Sequence, residues 1–281
     1  MEPRGWHRAC TLSPPTTTLP MRFATPLALV FLAASALSLS GCATIGGANY
    51  YSVDQEWELG QQLEVELNSQ LRLANDAALT GYVRNMGQRM VRQTTFGDRP
   101  WRFYVVADDA INAFNAPGGL VYVNTGLIAS VGSAAELAGA IAHEIAHGIE
   151  RHGTQRVSAA NEANLLASVV LGSDPNAAAQ IATQIAAQGA FARFSRSDER
   201  EADEIGVQLM AATGYDPEGL ALLLERLAEQ EQGGGIEFFR THPLSSERME
   251  TVRQLAARVD RRGLRMDESG FASARRAAQR Y

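Results

Sequence analysis

The sequence predicts an α+β fold, mainly helical, with a small β-sheet beside one buried helix. Three observations predict it. Residues 54–94 carry apolar side chains at helical spacing, and so do most segments after Ser133. Residues 101–124 between them hold short runs of aromatic and β-branched residues divided by Pro117-Gly118-Gly119. The resulting order is helices, a cluster of strands, then helices again, which suits a small antiparallel or mixed sheet at one side of a helical body.

Each element has its own signal. Trp57, Leu59, Leu63, Val65, Leu67 and Leu71 line a first helix, and Leu79, Val83, Met86, Met90 and Val91 a second. Gly97-Asp98-Arg99-Pro100 breaks the pattern, and Trp101–Ala107 follows as a strand. Ala113–Ala116 and Leu120–Asn124 read as a closely turned pair of strands. Ser133 with Glu136 reads as a capping box, opening a helix that runs to about His152 and stops at Gly153. Residues 158–193 are helical in composition, interrupted at Ser173-Asp174-Pro175, and their glutamines and short apolar spans argue against a membrane span. Ser197–Thr213, closed by Gly214, Pro217–Glu231 and roughly Ser245–Val259 are further helices, with Gly233-Gly234-Gly235 as a break. The tail from Arg261 is polar and reads as a short helix.

Composition limits the function classes. Hydrophobic residues make up 46% of 281 and charged residues 20%, a soluble globular mix with ample core. The net charge of -6 gives no footing for nucleic-acid binding. At the N-terminus, Arg22 precedes an apolar run from Pro26 to Leu39, the length of a signal-peptide core. It ends in Leu39-Ser40-Gly41-Cys42, which resembles a bacterial lipobox; that resemblance implies cleavage before Cys42 and lipid on its thiol. A plain secretory signal and an uncleaved anchor are the competing readings. The expected organisation is an upstream extension and signal at 1–41 (with Met21 as the alternative start to Met1), a tether at 42–53, one catalytic domain at 54–260 and a tail at 261–281. Cys10 and Cys42 are the only cysteines, so the mature chain has no disulfide to draw on.

The chemistry is concentrated in HEIAH. His143 and His147 stand at i and i+4, one face of a helix. Two imidazoles so placed can reach one Zn²⁺ at about 2.0–2.1 Å. Glu144 beside them can hold an attacking water, act as general base, and pass the proton to the leaving amine of a peptide. Leu137, Ala138, Ile141, Ala142, Ile145, Ala146 and Ile149 make the helix a buried one, so its ionisable residues need partners. The competing reading is an amphipathic helix with chance histidines. A hydrolytic zinc site wants a third protein ligand and an open fourth position. His152 falls one residue short of the metzincin spacing, where Gly153 stands, and reads as a structural residue or one that orients a ligand. Glu199 and Asp203 lie one helical turn apart in SRSDEREAD. A carboxylate there can complete the site, and Asp203 can accept a hydrogen bond from the far nitrogen of a ligand histidine. A solvated acidic helix start explains the same residues, and Glu201 is a rival ligand.

HEIAH followed by SRSDEREAD is similar to the metallopeptidase family of the CAAX prenyl proteases and the heat-shock protease HtpX, whose pattern is HExxH, then S-R-x-x-E-x-x-A-D. The resemblance implies a zincin-like metallopeptidase domain with one zinc per chain, Glu199 as third ligand, and Asp203 as the carboxylate supporting a ligand histidine. It sets Glu201 at a variable position. It extends over Asn112-Ala113, Pro117-Gly118-Gly119, Gly126-Leu127 and THPLSSER, roughly residues 54–255. Unlike the family's integral-membrane members this sequence shows no spanning helices, so it resembles the periplasmic lipoprotein branch, without the C-terminal helical-repeat domain of some such members.

His242, in Thr241-His242-Pro243-Leu244, resembles a loop that occupies the open zinc position in periplasmic members. The expectation is a removable fourth ligand and a self-inhibited resting state; a helix-entry residue without metal contact is the alternative. Arg248 either stabilises an oxyanion or pairs with a carboxylate. Leu120–Asn124 or Ala113–Ala116, as an exposed edge strand, would hold an extended polypeptide substrate through its backbone, and residues 158–193 would cover the cleft or contact the membrane. The expected function is a zinc endopeptidase acting on misfolded or unassembled cell-envelope proteins, held at a membrane by lipid on Cys42. Ala43 after that cysteine implies the outer membrane of a Gram-negative bacterium. The competing function is a chaperone or assembly factor, working with the outer-membrane assembly machinery and cutting seldom.

Overall fold

The computed structural model describes residues 49, 51–159, 168–169, 172–174, 176–189, 191–231 and 236–281. The signal sequence, Cys42 and most of the expected tether lie outside them. In chain order the elements are α1 (Val53–Gln70), α2 (Ala77–Val91), β1 (Arg102–Val106), β2 (Ala113–Ala116), β3 (Leu120–Asn124), α3 (Thr125–Ser130), α4 (Ala134–Ile149), α5 (His152–Ala159), α6 (Ala177–Gln188), α7 (Arg196–Ala212), α8 (Glu218–Glu231), α9 (Glu237–Thr241), α10 (Ser246–Ala257) and α11 (Phe271–Ala278). The expected α+β architecture is the observed one.

The sheet is mixed, in the order β1-β3-β2. β2 and β3 form the expected hairpin, paired antiparallel from Ala113↔Val123 to Ala116↔Leu120. Its turn places Gly118 and Gly119 at φ 80° and 75°, a region glycine enters without a Cβ penalty. A Cβ on Gly118 would also fall 2.6 Å from the Cα of Gly60, so α1 lies directly against the turn. β1 pairs parallel with the other side of β3, from Arg102↔Leu120 to Val106↔Asn124. Leu120–Asn124 is therefore the central strand, not an exposed edge, because β1 takes its second row of backbone groups. Ala113–Ala116 is at an edge, with all four residues buried.

α4 is the core of the molecule. Ser133 caps it by accepting from the Glu136 N–H at 3.2 Å. The Glu136 carboxylate accepts from the Ser133 hydroxyl at 3.2 Å, the Gly132 N–H at 3.0 Å and Arg226 at 2.6 Å, rather than from the Ser133 backbone N–H that a full capping box uses. Every residue of α4 from Ala134 to Gly148 is buried, with α7, α8 and the β2–β3 hairpin all packed against it. The small residues let neighbouring backbones approach closely: a Cβ on Gly139 would meet the Cα of Leu220 at 2.9 Å. Ile141 and Ile145, both fully buried, contribute about 1.5–3 kcal/mol each by leaving water.

Several boundaries differ from the sequence expectation for physical reasons. α4 ends at Ile149 rather than near His152, because Arg151 takes a left-handed φ of 58°. Its guanidinium is held by Glu56 Oε2 at 2.6 Å and the Ser52 carbonyl at 3.1 Å. α5 then restarts at His152 and runs through Gly153, which is no stop. Val65 is 69% exposed: two residues from Leu63 and Leu67, it faces away from the side of α1 they bury. Tyr51 is buried and Ser52 caps α1 in a reciprocal box with Gln55, so the chain is already ordered into the domain there. α6 packs Ile181, Ala182 and Ile185 inward, against α1. α11 buries Phe271, Ala274, Ala277 and Ala278 and lies on α2 and α3, so the polar tail closes part of the core. Among the described residues, no helix is long and apolar enough to cross a membrane.

Candidate metal centre

Three parts of the fold converge on the middle of α4. α4 presents His143, Glu144 and His147. α7, packed on α4, presents Glu199 and Asp203 one turn apart, and a Cβ on Gly206 of α7 would stand only 3.6 Å from the His143 backbone nitrogen. The start of α7 is fixed by a reciprocal capping box: Ser195 Oγ accepts the Asp198 N–H, and the Asp198 carboxylate accepts the Ser195 N–H. The third part is the segment from α9 to α10, which carries His242 at the end of α9 and Arg248 in the first turn of α10, where Ser245 caps it.

His143 Nε2 lies 3.1 Å from His147 Nε2, 3.2 Å from His242 Nδ1 and 3.4 Å from Glu199 Oε2. Glu199 Oε1 lies 3.4 Å from His147 Nε2 and 3.0 Å from His242 Nδ1. Ligands about 2.0–2.1 Å from a tetrahedral zinc stand roughly 3.3 Å from one another, so these four side chains are spaced as a ligand set. All four are buried, and each offers one ligand atom within 4.8 Å of the others. Charge points the same way. Buried Glu144, Glu199 and Asp203 face a single buried guanidinium, that of Arg248. With neutral imidazoles the cluster carries two uncompensated negative charges, which a divalent cation cancels. Neither carboxylate oxygen of Glu144 makes a hydrogen bond among the described residues. The residues present therefore fit a divalent metal with nitrogen and oxygen ligands.

Electrostatics separates the acidic groups. Burial pushes the Glu144 carboxyl above its usual range. Burial acts on Glu199 in the same sense, but His242 and Arg248 beside it hold it well below. Asp203 is likewise held low against burial by Arg248 and His143. The two ring systems of HEIAH diverge. Burial alone would keep His143 neutral, yet Asp203 and Glu199 raise it to about 9, whereas burial takes His147 well below the ordinary imidazole value.

Around the donor set stand the supporting groups. Asp203 Oδ1 is 3.0 Å from His143 Nδ1. Arg248 donates to Asp203 from Nε at 2.7 Å and Nη2 at 2.9 Å, and its Nη1 pairs closely with Glu199 Oε2. Of the two roles open to Arg248, pairing with carboxylates is the one its geometry displays. His152 lies outside the donor set, with its Nδ1 2.9 Å from His147 Nδ1. Glu201, the rival ligand, has a side chain 55% exposed and meets His152 instead. Phe194 stacks on His147 at 3.8 Å between ring centres, and Phe238 on His242 at 4.4 Å. These two walls were not legible in the sequence, since nothing but their position just before the two motifs sets them apart.

The sequence model of peptidase family M48 matches residues 77–256, a span that includes α4, α7 and His242. The chain belongs to peptidase family M48. Among relatives of this M48 chain, the beta-barrel assembly-enhancing protease of Yersinia pestis is 32% identical over 78% of the chain and 47% of its own length. The Escherichia coli (strain K12) protein of the same name is 31% identical over 79% and 48%. The mitochondrial metalloendopeptidase OMA1 of Schizosaccharomyces pombe is 29% identical over 73% and 62%. The chain thus spans about half the length of the beta-barrel assembly-enhancing proteases it matches. Membership is at the level of the M48 metallopeptidases; the likeness to the CAAX prenyl proteases and HtpX stays with the motif residues alone.

Proposed function

We propose that this M48 chain is a zinc-dependent endopeptidase of the bacterial cell envelope that cuts misfolded or unassembled outer-membrane proteins. The observation that carries it is the convergence of His143, His147 and Glu199 on one point beside the buried carboxylate of Glu144. Zinc held there supplies Lewis acidity toward the scissile carbonyl and acidifies a water. Glu144 takes the proton from the attacking water and returns it to the leaving amine nitrogen, a task suited to a carboxyl raised by burial. Asp203 fixes the tautomer of His143, and Arg248 balances Asp203 and Glu199. His242 is the removable fourth ligand: it fills the position that substrate and water need, and its other nitrogen faces Glu144.

The substrate class rests on the relatives named for beta-barrel assembly. Lipid on Cys42 would hold the domain at the outer membrane, near the assembly machinery. The β2 edge, once uncovered, would take an extended polypeptide through its backbone. The test is Glu144→Gln, which keeps zinc and loses cleavage of an unfolded protein by about 10²-fold or more; cleavage at the wild-type rate sinks the assignment. The total burial of Glu144 favours one second reading, an assembly factor that binds envelope proteins and cuts seldom. Full complementation of a deletion strain by Glu144→Gln would support that reading.

A further inference from the structure

The two histidines of HEIAH are supported differently. Asp203 lies directly against His143. At Nδ1, the nitrogen facing away from the donor set, His147 meets no carboxylate among the described residues; that Nδ1 lies 2.9 Å from His152 Nδ1, and His152 Nε2 lies 3.2 Å from Glu201 Oε2. We propose that His152 and Glu201 are positioning residues that together lock His147 in the tautomer and orientation needed to bind metal through Nε2. This rests on the metal site proposed above.

The argument is one of donors and acceptors. An ionised carboxylate only accepts hydrogen bonds. A carboxylate facing His152 Nε2 calls for the hydrogen there, and the tautomer that supplies it leaves Nδ1 as an acceptor. His147 Nδ1 must then be the donor in the 2.9 Å contact. With its hydrogen there, His147 Nε2 keeps its lone pair and points it at His143 Nε2 and Glu199 Oε1. This arrangement of protons satisfies both contacts while leaving His147 Nε2 free for metal, and a carboxylate on the surface sets it. Metal-bound histidines commonly depend on such an outer partner.

The backbone is built for this contact. On a continuous helix successive residues turn by about 100°, so a residue five positions on points about 140° away. His152 could not reach His147 if α4 ran on. The left-handed Arg151 breaks the helix at the necessary place. That conformation is strained for a non-glycine residue, and Glu56 secures it by accepting from both Arg151 and Thr154. His152 itself is 3% exposed, so the link between surface carboxylate and buried ligand is a single shielded imidazole.

The experiment is zinc affinity of the purified protein, by competition with a chromophoric chelator, together with the visible spectrum of the cobalt-substituted form. His152→Leu is expected to weaken zinc binding about 10–100-fold and to change the cobalt spectrum. His152→Gln, whose amide can accept from His147 and donate to Glu201, should stay within about 3-fold of wild type. Glu201→Ala, at an exposed position, should leave melting of the zinc-free protein unchanged and weaken zinc about 3–10-fold; this variant decides the matter if His152→Leu does not fold. Wild-type affinity in both His152→Leu and Glu201→Ala overturns the proposal, as does a His152→Gln variant as weak as His152→Leu. A wild-type protein that takes up no zinc defeats the metal-site reading itself, a different result.

Discussion

His242 Nε2 and Glu144 Oε1 lie 3.4 Å apart, and neither side chain has any exposed surface. One imidazole thus reaches the donor set with Nδ1 and the proposed general base with Nε2, so releasing it frees both at once. Among the described residues, the backbone of the segment that carries it is tied to the rest by Phe238 N–H to the Ile111 carbonyl at 3.3 Å and Phe194 N–H to the Thr241 carbonyl at 3.1 Å. His242→Ala is accordingly expected to raise cleavage of an unfolded protein about 10-fold, equivalent to removing a closed-state bias of about 1.4 kcal/mol. Steady-state proteolysis by the zinc-loaded variant measures it, and unchanged or lost activity counts against a closing role.

Arg248 is a buried cation between two buried carboxylates. Removing one member of such a group leaves uncompensated charge in a dry environment. Arg248→Met should cost about 3–5 kcal/mol of folding stability in the zinc-free protein. The loss should be smaller with zinc bound, since a divalent cation compensates the same carboxylates. Denaturant unfolding of both forms checks this, and an equal loss with and without zinc would separate Arg248 from the metal site.

Asp198 holds the start of α7 and is paired with Arg156 at 2.5 Å and 2.8 Å. Partial burial opposes its ionisation, but Arg156 and the Ser195 backbone outweigh it and depress the carboxyl below its usual value. A depressed folded value means the stabilisation is present above the unfolded value of about 3.9 and disappears as pH falls through the folded one. Asp198→Asn should therefore cost about 1–2 kcal/mol at pH 7. The gap from wild type should close as pH falls below about 4, the unfolded value, and a gap that stays constant on acidification would contradict the assignment.

Local signals were read well where one short stretch determines the outcome. The β2–β3 hairpin ends where Pro117-Gly118-Gly119 requires, and Ser133 starts α4 because its side chain caps the next turn. Features imposed from a distance were not visible. The break at Arg151 depends on Glu56, far back in the chain, and the central place of β3 depends on β1 crossing from before the hairpin. The short helices α3 and α9 have too few residues to show a period. The same division runs through the site. The spacing of His143 and His147 on one helix was legible from their separation. The meeting of Arg248 with Asp203, and of His152 with His147, depends on how α10 docks on α7 and where α4 breaks.

Metal content of variants tests the central claim most directly. The wild-type protein and Glu201→Ala, dialysed against saturating zinc and then buffer, should each retain one zinc per chain, the variant binding it several-fold more weakly, because Glu201 meets His152 and is not in the donor set. Glu199→Ala should retain little or none, since it loses the carboxylate standing 3.4 Å from each HEIAH imidazole. A full zinc complement in Glu199→Ala, with its loss in Glu201→Ala, would contradict the site described.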